Sequence, residues 1–188
     1  MKQQNKNFII KLAITGLCLA LCWLLPLLTG QIQRIGNMLN PMHLPVILCG
    51  FLCGPWFGLV LGFVAPLTRS LIFSMPPLFP TAFAMAFELA AYGFLTGLFY
   101  RLFPKKNGYL YLSQILAMLG GRVVWGLVQF ALMAAGQTEF SFAAFLAGAF
   151  TNAIPGIVLQ IILIPLLVMV LKKAKLMPKE QPRKAMQS

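Results

Sequence analysis

Apolar runs of membrane-spanning length, broken by short polar or Pro/Gly segments, organise this chain. The first run, Phe8 to Leu28, follows Lys2, Lys6 and Lys11 and is long enough for one spanning helix. Thr29 to Asn40 carries Gln31, Gln33, Arg34, Asn37 and Asn40 and reads as a loop. The stretch Pro41 to Tyr92 is almost wholly apolar, interrupted by Gly54-Pro55 and Pro76-Pro77, and contains two charges, Arg69 and Glu88. Its breaks predict a short helix Leu44 to Cys53, a helix Trp56 to Phe73, a Pro-rich turn Ser74 to Pro80 and a long helix Thr81 to Phe103. Pro104 to Gly108 closes that helix. A further helix runs to about Ala135, a polar loop Gly136 to Ser141 holds Glu139, and a last helix covers Phe142 to Leu171, with a short entry turn. Lys172 to Ser188 reads as a basic, disordered tail, which leaves 1–171 as one transmembrane domain.

Composition agrees with a lipid-facing surface. The chain has 188 residues, is 60% hydrophobic and only 10% charged, with mean hydropathy +0.84; soluble domains are about 25% charged. The formal net charge is +12. A nucleic-acid partner needs a solvated basic face, whereas these cations cluster at the ends of apolar runs, the pattern of membrane orientation. The N-terminal run lacks a small-x-small cleavage site before a soluble domain and reads as a retained helix, not a signal peptide.

Charge placement decides whether 44–73 is one span or two. With one, there are five spans in all, and Arg101, Lys105, Lys106 and the basic tail lie outside, against the positive-inside tendency. With a reversal at Gly54-Pro55 there are six, and both termini and the Lys105-Lys106 loop are cytoplasmic. Twelve of the fifteen basic residues then face the cytoplasm. Leu44 to Cys53 covers only ~15 Å as a helix, half of a ~30 Å hydrocarbon core. A short second helix implies a cavity near Asn37 to His43, because unpaired backbone at membrane depth is tolerated only against protein or water.

Three ionised groups, Arg69, Glu88 and Arg122, lie within predicted spans. A central charge costs ~2.5–3.5 kcal/mol on insertion scales, so each marks a functional or pairing position. Arg69 and Glu88 lie at similar depth. One reading is an ion pair between them that locks two helices, which leaves Arg122 unpaired to meet an anionic group such as a carboxylate. Helical spacing groups Arg122, Trp125, Gln129 and Met133 on one face, Thr81, Met85, Glu88 and Tyr92 on another, and Asn152, Gly156 and Gln160 on a third. Together these mixed aromatic and polar faces suit a small-molecule pocket; singly, each polar residue fits ordinary interhelical hydrogen bonding. His43, the one histidine, sits beside Pro41 and Pro45 at the expected outer mouth. The Gly54-x3-Gly58-x3-Gly62 and Gly93-x3-Gly97 spacings permit close helix approach, to a partner inside or outside the chain. Cys18, Cys22, Cys49 and Cys53 all lie in apolar runs, which fits small hydrophobes better than a disulfide framework or a metal site. No phosphate-binding Walker loop, Gly-x-Ser-x-Gly or His-Glu-x-x-His motif is present, and three acids with one histidine are a thin supply for acid–base catalysis. The chain therefore reads as a non-enzyme without cofactor or metal.

The six-span plan, the short second helix and the stretches HLPVILCGFLCGPWFGLVLGFVAPLTRSLIF and MPPLFPTAFAMAFELAAYGFLTGLFY resemble the substrate-binding S components of energy-coupling factor (ECF) transporters. They are most similar to the group that includes pantothenate and hydroxymethylpyrimidine transporters. The resemblance implies capture of a water-soluble vitamin or precursor from outside a bacterial cell, in the plasma membrane. A membrane coupling subunit and two cytoplasmic ATPases would supply the energy, and the S component would topple to release its cargo. Family members often carry Ala-x-x-x-Ala in helix one where it meets the coupling subunit; Gly16 and Ala20 stand at that spacing here, with Gly in place of the first Ala. The family pocket implies substrate-binding roles for Glu88, Tyr92, Arg122, Trp125, Gln129 and Asn152, with Asn40, His43 and the Pro76 to Pro80 loop as candidate lids. Arg69 is a second candidate cation for a cargo carboxylate. Pantothenate is the first expectation for the cargo, its carboxylate held by Arg122. Hydroxymethylpyrimidine or a pyridoxine-like compound is the second. A non-transport scaffold of the cell envelope is the rival from another class.

Overall fold

The computed structural model describes residues 2–28, 38–104, 106–136, 141–148, 153–174 and 177–178. All of its regular structure is helical: α1 (Lys2–Leu28), α2 (His43–Cys53), α3 (Pro55–Phe73), a wide helical turn (Leu78–Ala82), α4 (Phe83–Leu102), α5 (Asn107–Ala134), α6 (Phe142–Leu146) and α7 (Ile154–Lys173). The long helices α1, α3, α4 with its entry turn, α5 and α7 are long and apolar enough to cross a membrane, and α2 is a shorter apolar helix. The last predicted helix is thus divided: α6 is separate, and α7 begins at Ile154-Pro155, where proline suits a first turn.

Helix directions follow from contact register. Cys22 Sγ donates to Met42 O, Thr15 Oγ1 lies by Cys49 Sγ and Cys53 Sγ donates to Lys11 O, each at 3.6 Å. The paired numbers have a constant sum, so α1 and α2 are antiparallel. His43 packs edge-on against Tyr92 and Phe51 against Tyr100, with a constant difference, so α2 and α4 run the same way. Gly58 abuts Gly93, Gly62 abuts Leu89 and Gly97 abuts Pro55, so α3 runs opposite to α4. The chain therefore reverses at Gly54-Pro55, as the charge pattern predicts. Gly54 has φ 97°, a left-handed conformation that favours glycine, and the Arg101 guanidinium fills the space a side chain there would need.

The remaining helices continue the alternation. Gly121 of α5 lies on the Tyr92 ring and Gly120 by Leu95, so α5 returns antiparallel to α4. Gly156 of α7 lies against the Met38 and Leu39 carbonyls, Gln160 reaches Asn40, and Val168 shares a cluster with Phe51 and Tyr100. α7 thus runs alongside α2. The start of α1 and the end of α7 lie at the same end of the bundle, with Lys6, Lys11, Arg101, Lys106, Lys172 and Lys173. Met177, from the segment predicted as disordered tail, packs against the Phe51–Tyr100 cluster.

The glycine spacings find their partner inside the chain. A methyl at Gly58 would fall 2.5 Å from the Gly93 carbonyl oxygen, so α3 and α4 meet backbone to backbone, as small residues allow in membranes. Gly16 of α1 differs: a methyl there meets nothing within 4 Å. Gly93→Leu is expected to force α3 from α4 and lower stability by at least ~1–3 kcal/mol, the usual cost of overpacking. Gly16→Leu is expected to leave it unchanged. Thermal unfolding in detergent, monitored by circular dichroism, checks both; equal effects would contradict this packing.

Candidate functional site

The site begins with the length of α2. Its ten residue steps from Cys53 back to His43 span ~15 Å. Cys53 lies level with Lys11 at the basic end of the bundle. The N-terminus of α2 therefore stops about halfway across, and His43 lies in the interior with 1% of its surface exposed. The expected place for His43, at an outer mouth, is corrected: a short helix anchored at the basic end cannot reach the far surface. A helix N-terminus carries partial positive charge and free N–H groups, which favour an anion beside it.

Glu88 supplies the anion. Its Oε1 lies 3.5 Å from His43 Nε2 and 2.8 Å from Arg122 Nη1. Both ion-pair partners are buried, Glu88 at 2% and Arg122 at 7% exposure. Tyr92, one helical turn from Glu88, packs its ring between His43, at 5.0 Å between centroids, and Gly121. On the other side Asn40 O accepts from His43 N at 3.0 Å and from Gln160 Nε2 at 3.5 Å. Gln160 O in turn accepts from Gln114 Nε2 at 2.8 Å. One buried polar network thus links Gln114, Gln160, Asn40, His43, Glu88 and Arg122, drawn from α2, α4, α5, α7 and the segment before α2.

Arg69 stands apart. Its Nη1 donates to Trp23 O at 2.6 Å, and the guanidinium lies 5.1 Å over the Phe73 ring. The ion pair expected between Arg69 and Glu88 is therefore replaced by one between Arg122 and Glu88. Depth along a helix is readable from sequence, but the direction in which a side chain leaves it depends on which neighbours surround it. α3 turns Arg69 toward α1, near Pro26, where proline removes a ladder hydrogen bond. The adjacent Thr68 accepts from Trp23 Nε1 at 3.2 Å, so this corner joins α1 to α3.

The other expected residues divide. Trp125 lies on α5 one turn from Arg122, and its indole stacks with Phe145 of α6 at 6.1 Å and meets Gly148. Gln129 is half-buried one turn further on. Met133, grouped on the same face, is exposed. Asn152 falls outside the described residues. Gln114 was missing from the expected set, and Gln160 appeared only as part of a face with Asn152 and Gly156. The available signal was an uncharged polar residue in an apolar span two turns from Arg122, which the emphasis on charges passed over.

Several buried polar atoms of this centre lack a hydrogen-bond partner of good geometry: both ring nitrogens of His43, Tyr92 OH, Arg122 Nε, and the side-chain oxygens of Gln114 and Gln160. Buried polar groups are ordinarily paired, so a cluster of such atoms is a prepared set of donors and acceptors. A family model described as "ECF transporter, substrate-specific component" matches residues 10–168. No curated protein and no solved structure matches the chain.

The ion pair generates a stability prediction. Glu88→Ala or Arg122→Ala alone leaves an uncompensated buried charge and is expected to cost ~3–5 kcal/mol. The double substitution is expected to cost less than the sum of the two by ~0.5–3 kcal/mol. Unfolding of the four proteins in detergent measures the coupling; simple additivity would show that the two charges do not depend on one another.

Proposed function

Because the chain belongs to the family of ECF-transporter substrate-specific components, we propose that it captures a water-soluble vitamin or vitamin precursor from outside a bacterial cell and passes it to a membrane coupling subunit driven by two ATPases. The family is one of transport subunits, not of enzymes, and the chain is a multi-pass membrane protein. The observation that carries the reading is the buried Glu88–Arg122–His43 centre with its unpartnered donors and acceptors. Ionisable groups deep among lipid-facing helices are costly and rare, and they mark a functional site by default. The proposed binding residues are Glu88, Tyr92, Arg122, His43, Asn40, Trp125, Gln129 and Asn152. Arg69 enters this set with the least support, because its guanidinium is engaged with Trp23.

Pantothenate and the ring compounds, hydroxymethylpyrimidine or a pyridoxine-like molecule, are the named candidates for the cargo. What supports a polar cargo of this kind is the set of buried hydrogen-bonding groups around Glu88 and Arg122. The open face at Gly16 and the half-buried Ala20 beside it support docking of the coupling subunit on α1. The basic end, with Lys6, Lys11, Arg101, Lys106, Lys172 and Lys173, supports a cytoplasmic place for both termini.

Two measurements test the reading. The purified chain, without ATPases, is expected to bind one compound from a panel of B vitamins and precursors, with a change in fluorescence from Trp125; silence from folded, ligand-free protein would favour an envelope scaffold. Gly16→Leu is expected to leave that binding intact and reduce uptake through the assembled transporter at least ten-fold. Normal uptake would remove α1 from the docking surface.

A further inference from the structure

The chemistry of the ligand can be narrowed from charge balance and unpartnered atoms, given the substrate-capture reading on which this rests. Beside the His43 ring, the centre holds one permanent cation, Arg122, and one carboxylate, Glu88, in contact at 2.8 Å. Arg69, the other cation expected here, is bound to Trp23 O instead. The position that an anionic ligand group would take, between His43 and Arg122, is occupied by the protein's own carboxylate. A ligand carboxylate must then share one cation with Glu88 in a low-dielectric interior or expel it, and both leave a buried anion poorly compensated. A ligand ammonium meets the same difficulty against Arg122.

Outside the Glu88–Arg122 pair itself, what remains unsatisfied is uncharged hydrogen-bonding capacity. Gln114 donates its amide to Gln160 O, and Gln160 donates toward Asn40 O. These bonds fix both amide orientations and leave their side-chain oxygens as free acceptors. Arg122 Nε is a free donor. The Tyr92 hydroxyl and His43 Nε2 face Glu88, which leaves the Tyr92 oxygen as an acceptor and His43 Nδ1 as a second open position. We propose that the centre selects an uncharged ligand bearing hydroxyl, amino or ring-nitrogen groups, rejects its carboxylate counterpart, and uses Gln114 and Gln160 as specificity-determining acceptors for the ligand's donors. Glu88 is the residue that excludes the carboxylate.

Matched pairs test this directly, with the purified full-length chain and calorimetric or fluorescence titration. The pairs are pantothenol with pantothenate, pyridoxine with 4-pyridoxate, nicotinamide with nicotinate, and hydroxymethylpyrimidine with its 5-carboxylate. In whichever pair binds, the uncharged member is expected to bind at least ten-fold tighter. Glu88→Gln keeps the side-chain volume and removes the anion; it is expected to shift the ratio toward the carboxylate by at least ten-fold. A merely structural loss would weaken both members alike and leave the ratio unchanged. Should that variant not fold, Gln114→Leu and Gln160→Leu are each expected to weaken the uncharged member at least ten-fold. A carboxylate that binds tighter to the unaltered chain overturns the proposal and leaves the capture reading standing. Folded protein that binds no member of any pair counts against both.

Discussion

The ion pair between Glu88 and Arg122 is the constraint on which the centre of this molecule depends. Two charges in an apolar bundle are tolerated only when each compensates the other and the surrounding polar groups are arranged for them. Glu88 meets two groups at once: the guanidinium at 2.8 Å and the His43 ring at the start of α2, at 3.5 Å. A helix that ends inside a membrane protein leaves free N–H groups where no bulk water reaches. Broken helices whose N-termini meet anionic groups are a recurrent solution in transporters. In this chain the first amide of α2, His43 N, donates to Asn40 O, and the carboxylate of Glu88 meets the His43 ring.

Holding that carboxylate in place requires α4 to be fixed against its neighbours, and the glycines do this. Gly58 and Gly62 on α3 meet Gly93 and Leu89 on α4 through backbone atoms, while Gly50 of α2 meets Gly93 and Gly97 from another side. With no side chains between them, the three helices have little freedom to rotate about their axes. Rotation is what would carry Glu88 away from His43. The seam therefore sets the azimuth of the charged residue, and α5 follows because Gly121 accommodates the Tyr92 ring. Arg69 has a different task at the opposite corner, where its bond to Trp23 O joins α1 to α3. One arginine closes the scaffold and the other enters the polar centre.

Much of the architecture was legible in the sequence because it is written in one dimension. Apolar length gave the spans, and the basic clusters required the reversal at Gly54-Pro55, which the constant-sum and constant-difference pairings around α2 display. The glycine spacing announced close packing but not its partner, since an internal helix and a second chain ask for the same residues. The centre was legible in its cast and not in its pairing. Glu88, Arg122, Tyr92 and His43 stand out as polar groups in apolar runs, yet similar depth pairs Glu88 with Arg69 and leaves Arg122 without a partner. The choice depends on helix rotation, a three-dimensional quantity that no periodicity within one helix supplies. His43 was misplaced for a related reason: counted from the preceding loop it belongs at a surface, but counted back from Cys53, which is level with Lys11, it lies at mid-depth. Gln114 escaped notice because a single amide in an apolar span more often serves helix packing.

Charge balance also bears on how cargo crosses the membrane. Moving one elementary charge through a potential of 100 mV involves about 2.3 kcal/mol. A centre of one cation and one anion that carries an uncharged ligand moves no net charge, whatever motion delivers the cargo. The same centre loaded with a carboxylate would carry a negative charge toward an interior that is normally negative, and that cost would add to the cost of displacing Glu88. Both effects act in one direction. In the proposed reading the buried carboxylate of Glu88 does more than stabilise the fold: it balances the Arg122 guanidinium before the ligand arrives, and so favours a neutral cargo both at the moment of capture and during passage.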